Sequence, residues 1–344
     1  MHIAEAQSLW HPQPGWLNTA SYGLPPDPAW VALQHALSRW RAGAQSWEEW
    51  DESTDRSRAA FARLVNVEPP AVSVGSNVSG LLGPIAASLP GGSRVVVPEV
   101  EFTSNLFPWL AHQDRGVEAL TVPPEKLVDA IDESTTLVAV SAVQSATGEV
   151  ADLDAVVAAA RAVDALVVVD GTQAVGWLPV DASQVDALAC AGYKWLMGPR
   201  GSAFLTVSDR MRERVRPLNA GWYAGADVHG AYYGPPLRLA DDARRLDVSP
   251  AWFSWVGTAP ALEVVEKIGV DRIRDHDVAL ANRFREGLGM PASDTAIVAA
   301  TLPGAEEKLA RAGIRAASRA GSLRASFHLY NTEADVDTAL EALA

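Results

Sequence analysis

Hydrophobic and polar positions follow two periods along the first two-thirds of the chain. Helical spacing predicts helices near Asp27–Ala42 and Trp47–Val65, while short β-branched runs predict strands between later helices. The predicted strands are Ala71–Val74, Arg94–Val97, Gly116–Val122, Thr136–Val140, Ala165–Val169 and Val185–Ala189. Because helical stretches such as Ala151–Val163 separate several of these strands, the pattern predicts a largely parallel sheet covered by helices on both faces.

The pattern changes from about Pro250. Two long helical segments and two strand candidates follow, which predicts a second α+β domain; they are Trp255–Ile268, Asp271–Leu288, Thr295–Leu302 and Leu323–Phe327. The preceding segment, Gly221–Asp247, is rich in Gly, Tyr and Pro and favours an ordered loop that lines a cleft or packs. We therefore expect an N-terminal arm over 1–22, a large domain over 23–245 and a small C-terminal domain over 246–344.

Charge and cysteine content exclude several functions. The 344 residues carry a net charge of −14, which would repel the phosphates of nucleic acids and anionic lipids. The single cysteine, Cys190, excludes an internal disulfide and a cysteine-based zinc cluster, so we expect no metal site of that kind and a reducing compartment. Neither a signal peptide nor a membrane anchor is predicted, and the expected location is the cytoplasm.

Two charged residues follow predicted strands, where ligands of parallel sheets bind. Asp170 ends the run LVVVD, and Lys194 comes shortly after the next strand in AGYKWLMGPRG. Taken alone, Asp170 is more typical of a turn or helix cap, and Lys194 of solvated surface. Together they suit pyridoxal 5′-phosphate (PLP), which needs an amine to form an imine and a carboxylate to keep its pyridine nitrogen protonated.

Six motifs occur in an order that resembles the class V aminotransferase family of fold-type I PLP enzymes, whose superfamily includes cysteine desulfurases, kynureninase and isopenicillin N epimerase. The motifs are LNTASYGLP, GSNVSG, EFTSNLFPW, VVDGTQAVG, YKWLMGPRG and LRASFHLYNTEADVD. The resemblance covers almost the whole chain. It implies an α/β fold of PLP fold-type I, with a mostly parallel, seven-stranded type of sheet between helices and a smaller C-terminal α+β domain.

The resemblance implies roles for the residues nearest the cofactor. Lys194 would form the Schiff base, Asp170 would pair with the pyridine nitrogen, and Gln173 would donate to the phenolate O3′. Phe102 occupies the position of the aromatic ring that stacks on the cofactor, often a histidine in relatives; otherwise it is a core phenylalanine. Tyr193 would hydrogen-bond the phosphate or pack in the core.

Further residues would bind the phosphate and the substrate. Ser76 and Asn77 precede a predicted helix, Val78–Leu89, where backbone N–H groups can cradle a phosphate or where the pair simply caps the helix. Ser249 resembles the residue that reaches the phosphate from a neighbouring subunit, which implies a homodimer; alternatively it is a turn serine. Arg324 matches the arginine that clamps a substrate carboxylate, with Arg319 a weaker candidate and an exposed strand-edge position the alternative.

Two departures from the family pattern bear on the reaction. The residues before Lys194 are Ala191, Gly192 and Tyr193, so a serine and a histidine common in relatives are missing. The segment RAASRAGS before Arg324 lacks the cysteine on which desulfurases carry sulfur. Cys190 is expected to be buried in the sheet, so we do not expect a persulfide-forming desulfurase.

The predicted function is chemistry at Cα or Cβ of an amino-acid substrate, first as an aminotransferase. C–S lyase-type β-elimination and amino-acid epimerisation stay open as alternatives. A dinucleotide-binding Rossmann enzyme is a distant rival, since the G-x-G-x-x-G turn is missing and the nearest match, Gly198–Gly201, follows the lysine. A PLP-fold protein that only binds is disfavoured by the presence of Lys194, Asp170 and Arg324.

Overall fold

The computed structural model describes residues 1–344 and contains eleven α-helices and ten strands. The helices are α1 (Ile3–Ala6), α2 (Asp27–Ala42), α3 (Trp47–Leu64), α4 (Val78–Ser88), α5 (Thr103–Leu110), α6 (Leu153–Ala162), α7 (Asp209–Arg212), α8 (Trp252–Ile268), α9 (Val270–Gly287), α10 (Ala305–Arg311) and α11 (Glu333–Leu343). The strands are β1 (Val72–Gly75), β2 (Arg94–Pro98), β3 (Glu118–Val122), β4 (Thr135–Ser141), β5 (Leu166–Asp170), β6 (Ala187–Ala191), β7 (Ala203–Val207), β8 (Ile297–Ala300), β9 (Ala317–Arg319) and β10 (Ser322–Ser326).

Seven strands form the large sheet, in the order β1-β7-β6-β5-β4-β2-β3. Only β7 runs against its neighbours, pairing antiparallel with both β1 and β6. The prediction of a mostly parallel sheet is therefore confirmed. All strands except β7 run in one direction, so the carboxyl ends of β1, β2, β4, β5 and β6 share one edge.

Strands of the large sheet are buried on both faces, as parallel sheets between helices are. Alternate residues of β5 enter different cores: Val167 and Val169 join one cluster, whereas Leu166 and Val168 join the other. The Asp170 carboxylate comes at the end of this apolar strand, where side chains emerge at the sheet edge.

The smaller sheet is antiparallel, in the order β8-β10-β9. Helices α9 and α11 pack against each other beside it, and α8 packs on α2 and α3. The N-terminal segment joins this sheet: Leu17 N donates to Arg315 O, and Ser326 N donates to Leu17 O, both at 2.9 Å. The C-terminal α+β prediction thus has the expected elements. β8 is shorter than the predicted Thr295–Leu302, and β10 has the length of the predicted Leu323–Phe327 but begins one residue earlier.

Residues Gly221–Asp247 form short 3-10 turns and loops, consistent with the predicted lack of periodicity. Their aromatic side chains meet those of α3 and α8: Trp222 lies edge-on to Trp47 with ring centroids 5.5 Å apart, and Trp47 stacks on Trp252 at 5.2 Å. The aromatic side chain of Tyr233 is exposed at the tip of this segment. No helix has the length and apolar character needed to cross a bilayer.

Candidate active site

The shared carboxyl edge of the large sheet opens into a cavity of about 530 Å³, a size typical of cofactor pockets. Seven of the ten predicted site residues line it: Ser76, Asn77, Phe102, Asp170, Gln173, Tyr193 and Lys194. They follow β1, β2, β5 and β6, which end at the same edge of the sheet although they are far apart in sequence. A larger cleft of about 850 Å³ lies between Trp10 and Arg315 but holds none of these residues.

Lys194 and Asp170 are both buried at this edge. Burial lowers the pKa of the Lys194 amine to about 8, an effect that Asp170 partly opposes and Arg324 reinforces. Burial also raises the pKa of Asp170, while hydrogen bonds from Thr172 and the charge of Lys194 act in the opposite direction. The Thr172 backbone N–H donates to Asp170 Oδ1 at 2.9 Å. The pair therefore offers a lysine amine that is partly neutral near pH 8, close to an enclosed carboxylate.

Aromatic rings flank the lysine. The Lys194 amine lies 5.4 Å from the centroid of the Phe102 ring and 6.0 Å from that of Tyr193. Arg200, which the sequence did not single out, places its guanidinium carbon 4.8 Å from the Tyr193 centroid and also lines the cavity. Phe102 is half exposed toward this space and so is not a core phenylalanine.

The N-terminus of α4 faces the same cavity. Asn77 caps this helix, since its Oδ1 accepts from Gly80 N at 2.8 Å, and its amide donates to Ser76 Oγ at 3.2 Å. The helix-cap alternative is therefore confirmed for Asn77. It does not exclude anion binding, because Asn77, Val78 and Ser79 at the start of this eleven-residue helix line the cavity, at the positive end of the helix dipole.

Ser145 links Gln173 to Arg324. The Gln173 amide donates to Ser145 Oγ and to Ala20 O, both at 3.0 Å. Arg324 Nη1 donates to Ser145 O at 2.6 Å, and Arg324 Nη2 donates to Ser21 Oγ at 2.9 Å. Sequence reasoning missed Ser145 and Ser21, because a lone serine in a loop carries no signal until the fold shows its partners.

The two arginines differ in environment. Arg324 is only 1% exposed and sits on β10, within one hydrogen bond of the cavity residue Ser145. Burial, reinforced by Arg319, lowers the pKa of its guanidinium to about 10. Arg319 itself is exposed, with a 3.5 Å hydrogen bond to Ser21 as its link to this region. Of these two arginines, Arg324 is therefore the one that contacts a residue lining the cavity.

Ser249 is exposed and does not line the cavity of its own chain. The segment Gly221–Asp247, a candidate for cleft lining, contributes no residue to this cavity. The rings of Trp222 and His229 pack on Trp47 instead, so the packing alternative is the one that the structure favours for these two residues, whereas Tyr233 is exposed.

Two further side chains complete the surroundings. Glu101, buried between β2 and α5, accepts from Ser141 N at 2.6 Å and from Phe102 N at 2.7 Å, so it holds the backbone that presents Phe102. Cys190 lies in β6 with no exposed surface, as predicted, and burial raises the pKa of its thiol well above the ordinary value.

These features fit PLP: a lysine amine, an enclosed carboxylate, an aromatic ring and a helix N-terminus surround one cavity of suitable volume. The phosphate would meet α4, the ring would lie near Phe102 and Asp170, and Lys194 would supply the covalent link.

Comparison with known proteins supports the same assignment. The sequence model of the family described as "Aminotransferase class-V" matches residues 38–298. The chain is 29% identical to the "Uncharacterized aminotransferase YcbU" of Bacillus subtilis (strain 168), over 92% of this chain and 90% of that protein. It is 27% identical to a "Probable cysteine desulfurase" of Pyrococcus abyssi (strain GE5 / Orsay), over 95% of this chain and 92% of that protein.

A solved structure shares the fold. The cystine C-S lyase C-DES, in complex with its reaction product cysteine persulfide, aligns with a TM-score of 0.86 at 21% identity, covering 96% of this chain and 97% of that one. The alignment spans nearly the whole length of both chains, so the predicted fold-type I architecture is confirmed.

Proposed function

Since this chain belongs to the class V aminotransferase family of PLP-dependent enzymes, we propose that it transfers the amino group of an α-amino acid, with Lys194 as the residue that holds the cofactor and moves the proton. The observation that carries the proposal is the position of Lys194. Its amine is buried at the strand edge, has a pKa of about 8, and interacts electrostatically with the Asp170 carboxylate, which raises that pKa, and with the Arg324 guanidinium, which lowers it.

When bound, PLP supplies an electron sink for the bond broken at Cα. Asp170 would keep its pyridine nitrogen protonated, and Phe102 would pack against its ring. The N-terminus of α4 would hold its phosphate, with Tyr193 and the Arg200 cation beside it. Arg324 would bind the substrate carboxylate through a charge-assisted pair.

Lys194, once displaced by the substrate amine, would be free to take the proton from Cα and return it elsewhere. Two side chains that line the cavity have shifted pKa values, Asp170 and Lys194; Asp170 is assigned to the cofactor, which leaves the Lys194 amine as the base. The family's aromatic position carries Phe102 instead of histidine, which removes another proton carrier. A single mobile base suits proton transfer between two carbons and is less suited to epimerisation, which delivers a proton to the opposite face of Cα.

β-Elimination from a sulfur-containing amino acid is the second candidate. It needs the same lysine and carboxylate clamp plus a leaving group on Cβ, and it does not need a mobile thiolate. Cys190 is enclosed in the sheet, and the segment before Arg324 has no cysteine, so any released sulfur would leave with the product and not on the protein.

We further propose that the active enzyme is a cytoplasmic homodimer in which Ser249 contributes to the neighbouring subunit's phosphate site. The exposed position of Ser249 leaves its hydroxyl available for such a contact. The sole thiol, unpaired and buried, suits a reducing compartment. The division into an arm (1–22), a large domain (23–245) and a small domain (246–344) belongs to the same proposal.

One experiment tests the reaction. Purified protein loaded with PLP is incubated with a panel of amino acids, with and without a keto acid as acceptor, and the products are identified. Keto acid formed only in the presence of the acceptor supports transamination. Pyruvate, ammonia and sulfide released without an acceptor would instead establish elimination, and racemised amino acid with no other product would establish epimerisation.

A further inference from the structure

A buried histidine and aspartate lie behind the lysine turn and take no part in the proposed chemistry. His328, in the segment between β10 and α11, and Asp277, in α9, both have fully buried side chains. His328 Nδ1 lies 2.7 Å from Asp277 Oδ2, and His328 Nε2 lies 3.0 Å from the carbonyl oxygen of Trp195. Trp195 directly follows Lys194.

The hydrogen-bond partners of His328 determine where its protons sit. A backbone carbonyl only accepts, so Nε2 must carry a proton and donate it to Trp195 O. The remaining proton lies between Nδ1 and Asp277, whether the pair is an imidazolium with a carboxylate or a neutral imidazole with a carboxylic acid. In both states the ring keeps the same orientation and the same donor to Trp195.

Trp195 is held from its other side as well. Its indole Nε1 donates to Gln173 Oε1 at 2.8 Å, and its ring lies edge-on to the imidazole with centroids 5.2 Å apart. The Trp195 carbonyl is also tightly enclosed: a Cβ atom added at Gly176 would lie 2.7 Å from its oxygen. Any rotation of this peptide would therefore disturb both Lys194 and Gln173.

His328 lies four residues after Arg324 on the same continuous segment. That segment thus contacts the site region at two points: Arg324 reaches Ser145, and His328 reaches the carbonyl of Trp195, the residue after Lys194. Resting on the proposed function, we propose that the Asp277–His328 pair is a positioning device that sets the separation between the Lys194 amine and the Arg324 guanidinium, and so selects substrates that carry a carboxylate on the amine-bearing carbon. Neither residue touches cofactor or substrate.

Two variants of His328 each keep one of its two hydrogen bonds and remove the other. His328→Gln places an amide donor near the Nε2 position and can keep the bond to Trp195 O. His328→Asn places its amide near Nδ1, keeps the bond to Asp277 and loses Trp195. A neighbouring histidine on α9, His276, makes no side-chain hydrogen bond through Nε2, so His276→Asn serves as the matched control.

The probes are glycine and methylamine, which differ only by the carboxylate, titrated against the visible absorption of the PLP-loaded protein. We expect His328→Asn to raise the apparent dissociation constant of glycine about tenfold and to leave that of methylamine within about twofold. His328→Gln should restore most of the glycine affinity, and His276→Asn should match the wild type. Equal weakening of glycine and methylamine, or equal behaviour of the Asn and Gln variants, would overturn the positioning role.

A second measurement needs no cofactor. Hydrogen–deuterium exchange over residues 192–198 of the cofactor-free protein should be faster in His328→Asn than in His328→Gln, at matched melting temperatures. Exchange that is the same in both variants would refute the proposal. Failure of the wild-type protein to bind PLP would refute the proposed function instead, so the two failures are distinguishable.

Discussion

Replacing Arg324 with methionine is expected to separate substrate binding from fold stability. The guanidinium is 1% exposed and forms no ion pair; its partners are Ser145 and Ser21, and its Nε has no partner. A depressed pKa means that the folded state binds this proton less tightly than the unfolded state does. The charge therefore destabilises the fold at every pH below about 10, and stability is regained as the pH rises through the window between the folded value and the ordinary one.

The magnitudes follow from these contacts. The fall in the Arg324 pKa from the ordinary arginine value to about 10 corresponds to about 3 kcal/mol of destabilisation at neutral pH. Arg324→Met removes that cost and also removes hydrogen bonds worth about 1 kcal/mol each. The two effects nearly cancel, so the free energy of unfolding should stay within about 1 kcal/mol of wild type, whereas breaking an ordinary buried ion pair costs about 3–5 kcal/mol.

Substrate binding should respond very differently. Loss of one partner of an enclosed, charge-assisted pair costs about 2–5 kcal/mol, which weakens amino-acid binding by roughly 30- to 5,000-fold. Urea unfolding of the cofactor-free protein gives the stability, and titration of the visible spectrum of the PLP-loaded protein with glycine gives the affinity. Arg319→Met, at an exposed position, is the matched control and should change glycine affinity by less than about threefold.

The reasoning would be refuted by a loss of about 3 kcal/mol or more in the unfolding free energy with glycine affinity unchanged. A large loss of affinity in Arg319→Met with none in Arg324→Met would move the carboxylate clamp to Arg319.

Three further predictions concern the cofactor, the thiol and the assembly. The rate at which PLP attaches to the cofactor-free protein should rise with pH and reach half of its maximum near pH 8, because only the neutral Lys194 amine is nucleophilic. A midpoint near the ordinary lysine pKa would contradict the burial argument. Lys194→Ala should lose the visible absorption band of the bound cofactor. Cys190→Ala should keep both PLP and turnover, and mass spectrometry during turnover should find no persulfide on Cys190 of the wild type. Sedimentation should show a dimer, and Ser249→Ala should weaken PLP binding in it about tenfold; an active PLP-containing monomer would contradict the shared site.

Local pattern predicted those parts of the fold whose signal lies in one short run of residues. The run ending in Asp170 is apolar, β-branched and followed by Gly171, and the strand was found within one residue of its observed bounds. β7 was missed. Ala203–Val207 directly follows the Gly/Pro turn of the lysine motif, and no segment of helical spacing separates it from that motif. Bounds elsewhere differ by a few residues, since pairing partners determine where a strand ends.

The site residues show the same difference between local and long-range signals. Residues within motifs, such as Lys194, Gln173 and Phe102, were located by type and order. Ser145 was not, because its role depends on Gln173 and Arg324, which lie 28 and 179 residues away in sequence. Arg200 carries an ordinary surface signature, and only the fold places it over Tyr193.

The docking of Leu17 against Arg315 and Ser326 has a consequence for how the protein matures during synthesis. All strands of the large sheet have been made once Val207 has left the ribosome. Ala20, which accepts a hydrogen bond from Gln173, and Ser21, which accepts one from Arg324, are held by residues around Ser326, made more than a hundred residues later. Because nascent chains generally fold from the N-terminus, we expect an intermediate on the ribosome with a finished sheet and an unfinished pocket. Stable capture of PLP should therefore mark chains elongated past Ser326, and arrested shorter chains should remain colourless.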